Sequence, residues 1–151
     1  MTAHRARSRA RAWALQVLYA ADLRDTRTPA QALEDWLSHR RIAAPSRPYL
    51  RHLVGLVAAH REALDARISG ALTNWRLERL SAIDRNVLRI GAAELLHGGD
   101  DVPARVAIQE AVRLAERYGT AESARFVNGV LDAIHRGGRA GADDRRPEAT
   151  A

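Results

Sequence analysis

The chain predicts an all-α fold, and three observations predict it. Apolar residues return every three or four positions through nearly the whole length, the period of one helix face. No stretch sustains the apolar-polar alternation of a strand between turn signals. Residues that start and stop helices punctuate the stripes, among them Thr28 with Pro29, Ser81 with Asp84, Pro103 and Gly119. At 151 residues and 46% hydrophobic, the chain is long enough for one domain with a substantial core and short for two. A single compact domain of about seven helices is expected.

The first helix is expected from about Ala10 to Leu23, on a stripe of Ala14, Val17, Leu18 and Ala21. Thr28 as N-cap and Pro29 as first helical residue open a second helix, whose inward face carries Leu33, Trp36 and Leu37 and which ends before Pro45. A long third helix follows Pro48, with Leu50, Leu53, Val54, Val57, Leu64 and Ile68 on one face. Asn74 to Arg76 fall in a connection. Ser81 with Asp84 three residues on resembles a capping box, and the helix it opens runs to about Leu96. Gly98, Gly99 and Asp100 break the chain. Pro103 starts a helix with Ala107, Ala111, Leu114, Ala115 and Tyr118 inward, and Gly119 can supply a left-handed C-terminal cap. Thr120 caps a last helix that buries Ser123, Val127, Val130, Leu131 and Ile134. After His135 the sequence turns Gly- and Arg-rich without an apolar stripe, so 136–151 is expected to be a disordered tail.

Composition narrows the chemistry. The chain has no cysteine, which removes disulfides, thiolate metal sites and thiol catalysis together. There is no run of about 18 apolar residues to cross a membrane, and Gln16 and Asp22 interrupt the only stretch that could follow the N-terminal arginines as a signal sequence. A cytoplasmic protein is expected, with no membrane among its partners. His4, His39, His52, His60, His97 and His135 form no HExxH pair or other metal-ligand spacing, and no phosphate loop or nucleophile elbow is present. Glu94 lies inside an apolar arc of Val87, Leu88, Ile90, Gly91 and Leu95, where a carboxylate has to be paired or hydrogen-bonded. No second acid or histidine stands at a matching helical offset, so a structural role is expected for it. Neither enzymatic activity nor a cofactor or metal is anticipated.

The net charge of +6 is concentrated at one end. Arg5, Arg7, Arg9 and Arg11 precede the first acid, Asp22, whereas 22–135 is nearly neutral. A cationic cluster on a near-neutral body suits capture of a polyanion, though by charge alone it is equally well a solvated tail. At 100° per residue, Arg9, Ala12, Gln16 and Tyr19 form an outward strip, while Arg7 and Arg11 fall over the apolar stripe. The helix is therefore expected to begin near Arg9 or Arg11, with 1–9 as a basic flexible arm. Binders of single-stranded RNA combine cations along the phosphates with planar groups that stack on bases. The arginines supply the first, and Tyr19 stands where it could supply the second. Four phosphate contacts would give log K against log salt a slope of roughly −3. In the last helix, Phe126 sits on the flank of the stripe with Glu122 and Arg125 further out. It either stacks on a base or seals the core edge, the second being the commoner use of such a position.

The segment VPARVAIQEAVRLAERYGTAESARFVNGVLD, Val102 to Asp132, resembles the C-terminal signature of the NusB family, most specifically in VAIQEAV and FVNGVLD. RARAWALQVLY from Arg9 and IDRNVLRIGAAEL from Ile83 agree with it. The resemblance covers about residues 5–135. It implies a helical fold of two packed subdomains, no catalysis, and binding of boxA single-stranded RNA in ribosomal RNA leaders together with the ribosomal protein NusE, within the RNA polymerase antitermination complex. By motif position it implies RNA contacts at Arg7, Arg9 and Arg11, and at Glu122 and Phe126, to which the arm adds Arg5, the outward strip Gln16 and the outer side of the last helix Arg125. It points to Tyr19 and Asp84 for NusE. Ser8 within the arginine run and Trp13 after it depart from the family pattern. Two other readings stand beside this one. The first is the RNA-binding domain of a ribosomal RNA methyltransferase, for which the chain after the last helix leaves no room. The second is a self-associating scaffold, a homodimer covering its RNA face.

Overall fold

A computed structural model describes residues 1–24 and 27–139. Seven α-helices follow one another among them: α1 (Ala3–Leu23), α2 (Pro29–His39), α3 (Arg47–Ala59), α4 (Arg61–Ala71), α5 (Ala82–His97), α6 (Ala104–Tyr118) and α7 (Ser123–Arg139). Short 3-10 turns at Ala44–Ser46, Leu77–Arg79 and Gly99–Asp101 connect them. α1, α2 and α3 pack on one another, α6 pairs with α7, and α5 lies between the groups in contact with α1, α3, α4, α6 and α7. One apolar cluster runs through both. No helix among the described residues is long and apolar enough to cross a membrane.

α5 can be central because its sequence is apolar on nearly every side and small in the middle. Val87, Leu88, Ile90, Ala92 and Ala93 are all buried. A Cβ added at Gly91 would stand 2.5 Å from Leu131 Cδ1 and 3.0 Å from Ala111 Cβ, so α6 and α7 approach its backbone where a larger residue would hold them off. The helix starts read from the sequence are realised in side-chain caps. Thr28 Oγ1 accepts from the Gln31 N–H while the Gln31 side chain accepts from the Thr28 N–H, and Ser81 Oγ accepts from the Asp84 N–H.

Four features differ from the expectation. α1 begins at Ala3, so Arg5, Arg7 and Arg9 belong to a helix and not to a flexible arm. Thr2 Oγ1 caps it by accepting from the Arg5 N–H, Ala6 and Ala10 are buried, and the buried Ser46 hydroxyl donates to the Ala6 carbonyl at 2.9 Å. The long third helix divides at His60, whose φ of −114° and ψ of 18° leave the helical region. The apolar stripe stays in phase across the break, with Leu64 and Ile68 still in the core. Gly119 ends α6 at φ −96° and ψ −161°, an extended and not a left-handed conformation; its constraint is proximity, since a Cβ there would lie 2.5 Å from Ser123 Oγ. Finally, α7 continues to Arg139, past the expected start of the tail at residue 136; the remainder of that tail, 140–151, lies outside the described residues.

The C-terminal end of α1 is held by ions. Asp22 Oδ2 accepts from Arg85 Nε at 2.9 Å and Nη2 at 2.8 Å and from Asn86 Nδ2 at 3.2 Å. Arg89, itself buried, lies 3.5 Å from the same oxygen and donates to both carboxylate oxygens of Asp65 on α4. Burial pushes the Asp22 carboxyl up, but the Arg85 hydrogen bonds and charge, with Arg89 and Asn86, outweigh it and hold it below its ordinary 3.8. A depressed folded-state value contributes stability that is complete above the ordinary carboxylate range and is lost as pH falls through the folded value. Asp22→Asn should therefore lower the unfolding free energy by about 2 kcal/mol at neutral pH. Denaturant titrations at successively lower pH should show the gap between variant and parent closing below about pH 5.

Candidate nucleic-acid interface

α1 is amphipathic in an unusual sense: its inward face carries a guanidinium. Arg11 is 2% exposed, and its Nε donates to both oxygens of Glu94 on α5, each at 2.9 Å. Its Nη1 lies 3.2 Å from Glu110 Oε1 on α6. Ser8, one turn earlier, donates its hydroxyl to the same Glu110 oxygen at 2.9 Å. From α3, the Tyr49 hydroxyl donates to Glu94 Oε2; burial and then this carboxylate push the phenol well above its ordinary value, so it stays protonated and remains a donor. Four helices thus meet on one guanidinium and two carboxylates. Glu94 takes the hydrogen-bonding role its position predicted.

This cluster decides what the arginines of α1 can do. Arg11 is committed to the interior, which corrects its assignment as an RNA contact: the sequence places it on the inward stripe, and the two acids that make that tolerable come from helices far along the chain. Arg7 is half-buried. Its guanidinium carbon lies 4.7 Å from the Tyr49 ring centroid, and its Nη1 donates to the Asp101 carbonyl at 3.3 Å. The ring that anchors Glu94 with its hydroxyl thereby steadies Arg7 on its face. Arg5 and Arg9 are exposed and share the outward side of the helix with Gln16, which is half-buried.

Tyr19 is 37% exposed. Together with Gln16, Trp36, Tyr118 and Ile83 it lines a groove of about 710 Å³ between α1, α2 and the facing ends of α5 and α6. Tyr118 is the last residue of α6, so it links the α1 face to the α6–α7 connection, where Glu122 and Arg125 are exposed and Phe126 is half-buried against the core. Asp84 occupies the first turn of α5 beside Ile83, at the Tyr19 end of this surface; its Oδ1 is buried with no hydrogen-bond partner among the described residues.

The sequence reading missed Tyr49, and it assigned Trp36 and Tyr118 to inward helix faces without seeing that each also borders the groove. No spacing rule marks Tyr49, because its partners Glu94 and Arg7 come from α5 and α1. For Trp36 the signal was Arg40 one turn later, and that guanidinium lies over the indole at 4.3 Å. Among the described residues no three His, Cys, Asp or Glu side chains converge as a metal site. His60 stacks on His97 instead, with ring centroids 3.8 Å apart and planes at 11°.

Arg11→Ala should destabilise the fold by about 3–5 kcal/mol, because it strands two buried carboxylates. Arg9→Ala, on the same helix but in solvent, should change stability by no more than about 0.5 kcal/mol. Urea unfolding of both variants checks the distinction, and equal effects would contradict it.

A profile described as the NusB family matches residues 8–136. The chain is 43% identical over 136 residues to the transcription antitermination protein NusB of Anaeromyxobacter sp. (strain Fw109-5), covering 87% of this chain and 90% of that protein. It is 42% identical over 148 residues to the protein of that name from Symbiobacterium thermophilum, covering 91% and 95%. Its fold is similar to that of T. maritima NusB, with a TM-score of 0.77, 34% identity, and 94% and 96% of the two chains covered. It is similar also to a chain in a crystal structure of antitermination factors NusB and NusE in complex with dsRNA, with a TM-score of 0.77, 32% identity, and 88% and 98% covered.

Proposed function

The chain belongs to the NusB family, and from that premise we propose that it is a transcription antitermination factor which binds boxA-type single-stranded RNA of ribosomal RNA leaders together with NusE. It acts by binding and not by catalysis. It joins the antitermination complex of RNA polymerase, in the cytoplasm where ribosomal RNA is made. The observation that carries this reading in the chain itself is the outward face of α1. Arg5 and Arg9 stand in solvent on a helix pinned at both ends, Gln16 and Tyr19 continue the same surface, and Arg7, turned toward α3, is steadied on Tyr49.

On this reading phosphates are followed by Arg5, Arg7 and Arg9, whereas Gln16, Arg125 and Phe126 offer the hydrogen-bonding, charged and stacking groups that unpaired bases and their backbone accept. Glu122 is acceptor-only when ionised and so suits an exocyclic amino group, and repels a phosphate. Tyr19 and Asp84 face NusE at the far end of α1. A rigid helix presents its cations without first paying to order an arm, which favours affinity.

With three phosphate contacts instead of four, the slope of log K against log salt for a boxA-type oligonucleotide should be about −2, at about −0.7 per contact on a single strand. Arg5→Ala combined with Arg9→Ala should bring it to about −0.7, while leaving NusE binding in place. Fluorescence anisotropy over a salt series, with and without NusE, measures both. An unchanged affinity and slope in the double variant would remove the α1 face from the interface.

A further inference from the structure

The exposed face of α6 lies where a strand held by α1 has to pass. α6 packs on α1 on one side and on α7 on the other. Its register against α1 is set by buried Glu110, which accepts from Ser8 at 2.9 Å and lies 3.2 Å from Arg11 Nη1. About eight residues further along each helix, Tyr118 and Gln16 again line one surface, so the two helices run side by side in the same direction over about 12 Å. Arg113 and Arg117, three and seven residues after Glu110, share the side that Glu110 turns to α1. Across the seam stand Arg5, Ser8 and Gln16. The one other acid of α6, Glu116, lies about 120° round the helix from Glu110.

The two guanidinium groups of α6 are held by their surroundings. Arg113 reaches Glu110 with Nη1 at 3.5 Å while its side chain stays 58% exposed. Arg117 is exposed and lies 5.5 Å from the centroid of the Tyr118 ring. One is partly compensated by a carboxylate and the other is oriented by a ring, so both offer a strand a directed fork of donors more than a free charge. On the function proposed above, phosphates rest on Arg5 and Arg9 and a base on Phe126, which puts the bases between them over α6. Resting on that reading, we infer that Arg113 and Arg117 are base-reading residues and that the base they select is guanine. A guanidinium has five donors and no acceptor. Guanine O6 and N7 are paired acceptors that match it bidentately, whereas adenine sets an amino donor beside its N7. Affinity then follows the charges of α1, and sequence preference follows α6.

The experiment measures binding of the full chain to a boxA-type single strand and to a panel in which each position in turn is guanosine or adenosine. At one or two positions guanosine should bind about tenfold more tightly than adenosine. Arg113→Ala combined with Arg117→Ala should erase that preference while the slope of log K against log salt stays at about −2. Arg113→Lys combined with Arg117→Lys keeps the charge without the planar fork, and it should lose the preference as well. Thermal melting followed by circular dichroism establishes that both double variants are folded. If the parent prefers guanosine nowhere, or if the preference survives in the alanine variant, the inference is overturned while boxA binding stands. A slope that flattens by about 1.4 in the alanine variant and returns in the lysine variant makes the two residues phosphate contacts, and overturns it too. If the parent binds no boxA-type RNA, the functional reading fails and this one with it.

Discussion

The fold turns on a single guanidinium in its interior. Removing Arg11, Glu94 and Glu110 from water costs several kcal/mol per ion, and Coulomb attraction returns this only where geometry is good and the remaining polar atoms are satisfied. Here they are: Glu94 accepts from Arg11 and Tyr49, and Glu110 accepts from Ser8 and faces both Arg11 and Arg113. The cluster nonetheless carries two negative charges against one buried positive charge. The imbalance accounts for its surroundings, with Arg113 at 3.5 Å from Glu110 and Arg7 above the Tyr49 ring. An apolar replacement could match its stability. It could not set the rotation of α1 so sharply, because a carboxylate fork accepts a guanidinium in few orientations whereas a leucine stripe tolerates several.

Rotation is what the surface of α1 needs. Once Arg11 faces α5 and α6, helical geometry alone turns Arg5 and Arg9 outward and puts Arg7 on the side of Tyr49. The other end of the helix is fixed independently by Asp22 with Arg85, Asn86 and Arg89. Between the two anchors Ala10, Ala14, Leu15, Val17 and Leu18 are buried, so the helix cannot roll without exposing them. Binding residues placed on a rigid element keep their spacing without an entropic cost at each encounter. The ionic clusters lie under the functional surface and act through it, and none of their buried members needs to touch a ligand.

How far this was legible in the sequence follows from the range of each interaction. The capping box of Thr28 and Gln31 and the stripes of α2, α5, α6 and α7 rest on contacts within a few residues, and periodicity exposes them. The close approach at Gly91 was readable from the run of small residues, although its partners were not. The start of α1 was misread because helical arithmetic treats one helix at a time: Arg11 over an apolar stripe is a contradiction until Glu94 and Glu110 arrive, 83 and 99 residues later in the chain. Glu94 posed the mirror of the same puzzle, a carboxylate with no partner on its own helix. Each was the answer to the other. The break at His60 was hidden for the opposite reason, since Leu64 and Ile68 keep the stripe in phase through a change of helix.

The site was legible to an uneven degree because surfaces are assembled from several elements. Arg5, Arg9, Gln16 and Tyr19 share one helix, so their common face could be computed from spacing. The face of Trp36 could be computed in the same way, but its meaning changes in three dimensions, because the residue that packs edge-on against half-buried Trp13 at the edge of the core also carries Arg40 on its ring. An aromatic at a helix flank is thus not divided between core and surface; it transmits between them, fixed by apolar contact on one face and presenting a cation on the other. Tyr49 does this for Arg7 through a hydroxyl bound to Glu94. The recurrent unit on this protein is a ring anchored from below with an arginine laid upon it, and α1 runs between two of them.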